Sequence, residues 1–348
     1  MKFLFRNTII VSLLAMFLPA ASFAAEYTIK YGHVGPVTSD DQVPGEFLKS
    51  FLEARSNGRI TVEIYPGAQL GNFRDMIEQV QLNTLELTHT TVGGIANFWP
   101  ELQVTDIPYM MNGDSIAEHI AQSSFFDDVR DEILKATGNV RLVAVGNTGR
   151  WRNFFTTKKL IKSAADMKGV KMRTINSPLQ IEFIKALGGN PTPVAWGELY
   201  TSLQTGVVEG TKNAATDIIP TKMYEAVKFV TLDEHAYLFG FWWMSDAWLQ
   251  SLPADLQDLV IDGIQQASMI QSDWNKEYDS RALQEFVGFG GTIYVPSPEE
   301  KATFVTARDK MKVWFSDKYG DKWLKKFEKA VAEAEADLID RNNRVIGR

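Results

Sequence analysis

The sequence predicts an α/β protein of two lobes, and three observations carry that expectation. Strand and helix periodicities alternate from Tyr27 to Thr91, and a second alternation begins near Ser163. Between them, from Gly146, the composition turns to Gly, Asn and Thr with two arginines, as a crossing between lobes requires. A chain of 348 residues is long enough for two domains. Hydrophobic residues at 45% and charged residues at 23% are proportions of a folded chain, which excludes disorder.

Within the first unit, Tyr27–Val34 alternates as a strand and Ser39-Asp40-Asp41 caps a helix carrying Val43, Phe47, Phe51 and Leu52 on one side. Asn57-Gly58 stops that helix, and Ile60, Val62 and Ile64 mark a second strand ended by Pro66. A helix from about Asn72 places Met76, Ile77 and Val80 together, and Leu85–Thr91 is a third strand. Such an order argues for a mostly parallel sheet, whose sites form outside the carboxyl ends of the strands. His33-Val34 and His89-Thr90-Thr91 therefore belong near a cleft. Ala117–Thr137 has a helical pattern, and Val140–Val145 is a short buried strand.

In the second unit, Ser163-Ala164-Ala165-Asp166 resembles a helix start, and Val170–Ile175 is a strand. Ser177-Pro178 opens a helix with Leu179, Phe183, Ile184 and Leu187 on one side, ended by Gly188-Gly189. Pro191-Thr192-Pro193 sets a rigid loop, Gly197–Thr205 a short helix, and Val207-Val208 another strand. Phe229–Met244 is apolar enough for a buried strand returning to the first lobe. Ser251-Leu252-Pro253 starts a long helical stretch over Ala254–Phe286, and charged amphipathic helices follow from Pro296 and from Trp323, covering the outside of a lobe.

Lys2 and Arg6 precede an apolar run, Ile9–Leu18, that is short for a membrane span, and Ser22-Phe23-Ala24-Ala25 offers small residues to a signal peptidase. The expectation is a signal peptide over 1–24, cleaved near Ala24 or Ala25, and a periplasmic location; an uncleaved anchor is the other reading. The absence of cysteine excludes disulfides, thiolate metal sites, cysteine nucleophiles and lipid attachment through cysteine. A net charge of −7 argues against nucleic acid and anionic membrane surfaces as partners. Four histidines lack metal-ligand spacing, and no nucleophile elbow, phosphate loop or dinucleotide fingerprint is present. The expectation is no cofactor, no metal and no enzymatic activity.

The candidate binding residues are drawn from 150–213. In Val170–Ile175 the alternation turns Val170 and Met172 to the core and Lys171 and Arg173 away from it. Near the strand's carboxyl end, the Arg173 fork matches a carboxylate or sulfonate; a solvated or structurally paired arginine is the alternative. Arg152, beside Trp151 and Phe154-Phe155, is a second cation or a partner of those rings. Trp196 stacks on a ligand or plugs the core. Asn213 offers an amide to a ligand or caps a helix.

Taken as an ordered set, these residues resemble the periplasmic substrate-binding proteins of TRAP transporters, the sodium-coupled tripartite carriers of organic acids. The resemblance runs through Tyr65-Pro66-Gly67-Ala68-Gln69-Leu70-Gly71, Asp106-Ile107-Pro108-Tyr109, Trp151-Arg152-Asn153-Phe154 and Asp166–Arg173. It continues through Pro191–Trp196 and Glu209-Gly210-Thr211-Lys212-Asn213. It implies a two-lobed periplasmic-binding-protein fold with hinge strands and a long helix, Ala254–Phe286, spanning both lobes. Lobe I would be 25–149 plus about 239–275, and lobe II 150–238 plus about 276–348. Arg173 would pair the ligand carboxylate, Arg152 would add a cationic contact, Asn213 would bond the ligand, and Trp196 would flank it. Thr91, Phe239, His33 and His89 complete the expected site. Partners would be a small organic acid and separate small and large membrane subunits, with the chain itself a monomer.

Departures bear on the ligand. Phe73 and Thr91 stand where sialic-acid binders of the family carry acidic residues, and Thr211-Lys212 replaces the usual Gln-Glu. With Trp196, Phe239 and Phe241-Trp242-Trp243 the site reads as aromatic, suiting a small or partly apolar acid, a sulfonate, or an ectoine-like or amino zwitterion. A periplasmic enzyme on the same fold, or a receptor signalling to a membrane sensor, are the competing readings.

Overall fold

The computed structural model describes residues 25–347; segment 1–24, with the expected signal peptide and the Ala24 cleavage point, lies outside the described residues, as does Arg348. Short alternating runs give β1 (Tyr27–Gly32), β2 (Ile60–Tyr65) and β3 (Leu87–Thr90), with β1 pairing in parallel to both of the others. Next come β4 (Val140–Thr156), β5 (Lys171–Thr174), β6 (Asn190–Pro193) and β7 (Gly210–Asn213), of which β5 pairs in parallel with β6 and β7. The last strands are β8 (Phe229–Ser245) and β9 (Thr292–Tyr294). Together they form one sheet in the order β2-β1-β3-β8-β4-β7-β5-β6, with β9 on β8.

The two parallel sets are joined through β4 and β8, each 17 residues long and antiparallel from Val140↔Ser245 to Thr156↔Phe229. β3 joins the carboxyl half of β8, and β7 the carboxyl half of β4, so each long strand serves both sets. The β4–β8 register shifts between Asn147 and Arg150, where an irregularity bends and twists a ladder. Gly149 sits in that shift with φ +124°, and a Cβ there would lie 2.7 Å from the Ala214 methyl. Only glycine meets both demands.

The polar segment from Gly146 does not leave the sheet after a strand ending at Val145; β8 pairs its backbone and carries β4 on to Thr156. Pro191–Pro193 is no loop but the outermost strand, an edge where proline costs no ladder bond. The strand expected at Val207-Val208 lies instead at Gly210–Asn213, where Gly210 runs so close to β4 that a Cβ on it would stand 2.7 Å from the Phe155 carbonyl oxygen. Ala117–Thr137 is two helices, Asp114–Ala121 and Ser124–Thr137, and the start read at Ser163 is a single 3-10 turn, Ala164–Met167.

The long helix runs Ala254–Gly288. Its first half sets Leu256, Val260, Ile264 and Ala267 into a cluster with Ile29, Leu48 and Trp242. Its second half sets Tyr278, Ala282 and Phe286 against Phe155, Leu199 and Val230. One helix thus braces both parallel sets. Helix Pro298–Tyr319 reaches the second set, with the Phe304 ring 5.8 Å from Phe154. Helix Lys322–Ile346 does not: Trp323 packs edge-on to Trp99 at 4.9 Å and to Phe125 at 5.9 Å. The end of the chain therefore lies against the first unit, contrary to the assignment of all of 276–348 to lobe II. The apolar payload of Trp323 outweighs sequence proximity.

Candidate functional site

The carboxyl ends of β1, β3, β5 and β7 converge on one crevice, the place parallel α/β sheets keep for ligands. It encloses about 640 Å³ between its walls, including space open at the mouth.

One wall is basic. Arg173, at the end of β5, is 4% exposed and lines the cavity. Its Nε donates to the Val194 carbonyl at 3.0 Å, and its guanidinium carbon lies 5.8 Å from the Trp196 ring centre. It makes no ion pair among the described residues. Burial, then the neighbouring Arg152, push it down to about 9, while Asp217 works the other way. A guanidinium still holds its proton at neutral pH, so the shift registers an uncompensated buried charge. Arg152, 5% exposed on β4, donates through Nη1 to the Lys212 carbonyl at 3.1 Å and keeps Nε 3.7 Å from Asp106 Oδ1. Asn213 donates from Nδ2 to Asp217 at 2.8 Å and accepts from Thr211 Oγ1 at 2.5 Å. Half-buried Trp196 opens helix Trp196–Gln204.

The opposite wall is acidic. Asp40 and Asp41 precede helix Gln42–Arg55, and both line the cavity. Asp40 Oδ2 accepts from Thr148 Oγ1 (2.8 Å), Asn275 Nδ2 (2.8 Å) and Gln271 Nε2 (3.1 Å). Burial, then the charges of Asp41 and Asp217, raise Asp40 to about 7. Burial alone would raise Asp41 too, but His89 Nδ1, 2.7 Å away, and the charges of His89 and His33 hold it below the usual carboxylate range. A third acid, Asp217, stands on the basic wall just after β7; it is raised by burial, partly offset by Asn213 and the Ala214 amide.

Arg173, Arg152, Asn213, Trp196, Thr91 and His89 are brought together around this cavity. His33 and Phe239 are not. His33 is fully buried with Nε2 3.1 Å from Gln42 Oε1, and its neighbour Val34 takes the place at the cavity. Phe239 packs 5.1 Å from Tyr237 and 5.5 Å from Phe126, while Leu238 lines the cavity. Side chains alternate along a strand, so an offset of one residue exchanges faces. The Phe241-Trp242-Trp243 run is likewise core, with Trp242 stacked on Tyr31 at 5.2 Å; the aromatics at the cavity are Phe73 and Trp196.

Asp40, Asp41, Asp217, Thr148 and Thr216 line the cavity without having been singled out for it. Asp40-Asp41 was legible only as a cap, although two adjacent acids just beyond a strand's carboxyl end were a usable signal. Lys212 also escaped notice as a support. Fully sequestered behind β7, it donates to Gln180 Oε1 at 2.8 Å, and Gln180 in turn donates to Asp106 at 2.6 Å. Burial, then Arg152, depress the Lys212 ammonium well below its usual range. Among the described residues no cluster of His, Asp and Glu could hold a metal ion, and no helix is long and apolar enough to cross a membrane.

Residues 32–316 match the family described as bacterial extracellular solute-binding protein, family 7 (DctP). A solute-binding protein of Verminephrobacter eiseniae is 29% identical over 311 residues, 89% of this chain and 91% of that one. The 2,3-diketo-L-gulonate-binding periplasmic protein YiaO of Escherichia coli is 25% identical over 320 residues, 92% of each chain. A solved TRAP periplasmic solute-binding protein from Desulfovibrio salexigens, with bound orotic acid, superposes with a TM-score of 0.83 at 26% identity, covering 88% of this chain and 99% of that one. On a match that runs from the end of β1 to the penultimate helix, the chain belongs to the DctP family of bacterial extracellular solute-binding proteins.

Proposed function

We propose that this chain is the periplasmic solute-binding component of a TRAP transporter, which captures a small organic acid between its lobes and passes it to separate small and large membrane subunits. The supporting observation is Arg173: a buried guanidinium at the cavity with no carboxylate partner among the described residues. Burying such a charge is expensive unless an anion completes it. A ligand carboxylate would take the two terminal nitrogens as a fork, Arg152 would add a second cation, and Trp196 would cover the organic part. Asn213 is held by Thr211 and Asp217 and would contribute orientation.

Closure of the halves about β4 and β8 would exclude water and present both lobes to the membrane partners. Capture and release without turnover is the proposed activity, by an exported, monomeric chain that delivers its ligand to a sodium-coupled carrier. Native mass spectrometry of the purified protein tests it: one small organic acid should co-purify, leave unchanged after incubation, and be lost from Arg173→Ala. Recovery of a transformed product would favour the periplasmic enzyme instead.

A further inference from the structure

The polarity of the cleft narrows the class of acid, on the assumption that the Arg173 reading above holds. Asp40 comes from the first half and Asp217 from the second, and the charge of Asp217 adds to the burial that raises Asp40. Asp40 uses Oδ2 for all three of its donors, and Asp217 uses Oδ2 for both of its own. Each carboxylate therefore keeps an Oδ1 without a donor among the described residues. Two hydroxyls that line the same cavity, Ser39 Oγ and Thr216 Oγ1, are buried without any hydrogen-bond partner, on residues only 6% and 3% exposed. Buried hydroxyls are rarely left so, and together with the two open carboxylate oxygens at the same cavity they call for a polar guest. No metal-binding cluster stands in for it among the described residues.

We infer that the cleft selects a monocarboxylate bearing hydrogen-bond donors beyond its acid head, an ammonium or hydroxyls, and rejects a second carboxylate. The head group meets Arg173; the donors meet Asp40 and Asp217, with Ser39 and Thr216 completing the contacts. Phe73, Ile175 and Leu238 supply apolar surface for the intervening carbons. A dicarboxylate would set its second anion against the two carboxylates, and like charges so placed repel and weaken binding. A simple alkyl acid would leave the four polar atoms unsatisfied.

Calorimetry on ligand-stripped protein with four probes tests this: D-gluconate, 4-aminobutyrate, succinate and butyrate. At least one donor-bearing acid should bind tenfold or more tighter than both succinate and butyrate, and which of the two it is tells hydroxyl from ammonium. Asp217→Asn and Asp40→Asn should narrow that gap below threefold. Because Asp40 also holds Thr148, Gln271 and Asn275, its variant can fail to fold; Asp217→Asn and Thr216→Val then carry the test. Succinate or butyrate binding as tightly as the better donor-bearing acid, or a gap unmoved by these variants, overturns the donor inference while leaving the arginine clamp standing. Binding of none of the four overturns both.

Discussion

The half of the sheet built on β1, β2 and β3 and the half built on β5, β6 and β7 follow the same parallel plan, yet they present different charge to the cavity between them. The first half offers Asp40 and Asp41, largely compensated from within: His89 pairs with Asp41, and Thr148, Gln271 and Asn275 converge on Asp40. The second half offers Asp217, bonded by Asn213 and the Ala214 amide, and Arg173, whose guanidinium has a backbone carbonyl as its only hydrogen-bond partner among the described residues. Charge that a protein neutralises itself is architecture; charge that it leaves open is an invitation to a ligand. On the function proposed for this chain, the acid head of the guest would meet the second half.

The most direct way to break that contrast is Arg173→Ala. Truncating one partner of a buried charge pair costs about 2–5 kcal/mol, so affinity for the co-purifying acid should fall at least about thirtyfold by calorimetry. Unchanged affinity would falsify the clamp. Arg173→Lys should recover only part of the loss, since a point charge lacks the fork.

Gly93 and Ile175 test whether the two halves must meet. A Cβ on Gly93 would stand 2.6 Å from Ile175 Cδ1 and 2.8 Å from its Cγ2, so Gly93→Val fits only if the halves part. Affinity should drop about tenfold, roughly 1.4 kcal/mol, and small-angle scattering with ligand should show a larger radius than the parent. A parent-like radius and affinity would show that this contact does not limit closure.

The acid half should reveal itself through pH. Asp40 is raised to about 7 in the folded protein, against the ordinary carboxylate value of the unfolded chain. Between those values the folded state binds more protons than the unfolded one, so this group's stabilising contribution is complete at low pH and is lost as pH rises toward 7. The melting temperature of Asp40→Asn should therefore decline less across pH 4 to 7 than that of the parent. Parallel curves would sink the assignment of Asp40 as the titrating group.

Smallest of all should be the effect of the two residues that the fold turned away. Phe239→Leu should cost about 1 kcal/mol of stability and leave affinity within twofold. His33→Gln should likewise leave affinity nearly unchanged; a tenfold loss from either would return that residue to the site.

Much of this was legible beforehand, and the pattern of misses has a physical cause. β1, β2 and the long helix declared themselves because apolar spacing is a local property. β6 did not, since its prolines argue against a strand until its place on the sheet edge is known. The Trp242-Trp243 pair reads equally well as core or site, and only the stacking on Tyr31 decides. Helix Lys322–Ile346 could not be allotted to a half from its own residues, because its docking depends on Trp99 and Phe125, far back in the chain.

By itself the sequence determined the α/β class and the family, and it singled out the two arginines, Arg152 and Arg173, that line the cavity. Those rest on periodicity, on motif order, and on an arginine at the end of a strand, each contained in a few consecutive residues. Tertiary structure alone decided that Val34 and Leu238, in place of His33 and Phe239, face the cavity, and that Asp40 and Asp217 share it. Facing is set by strand register, and shared space by the closing of distant segments on one another; neither is a property of any local stretch.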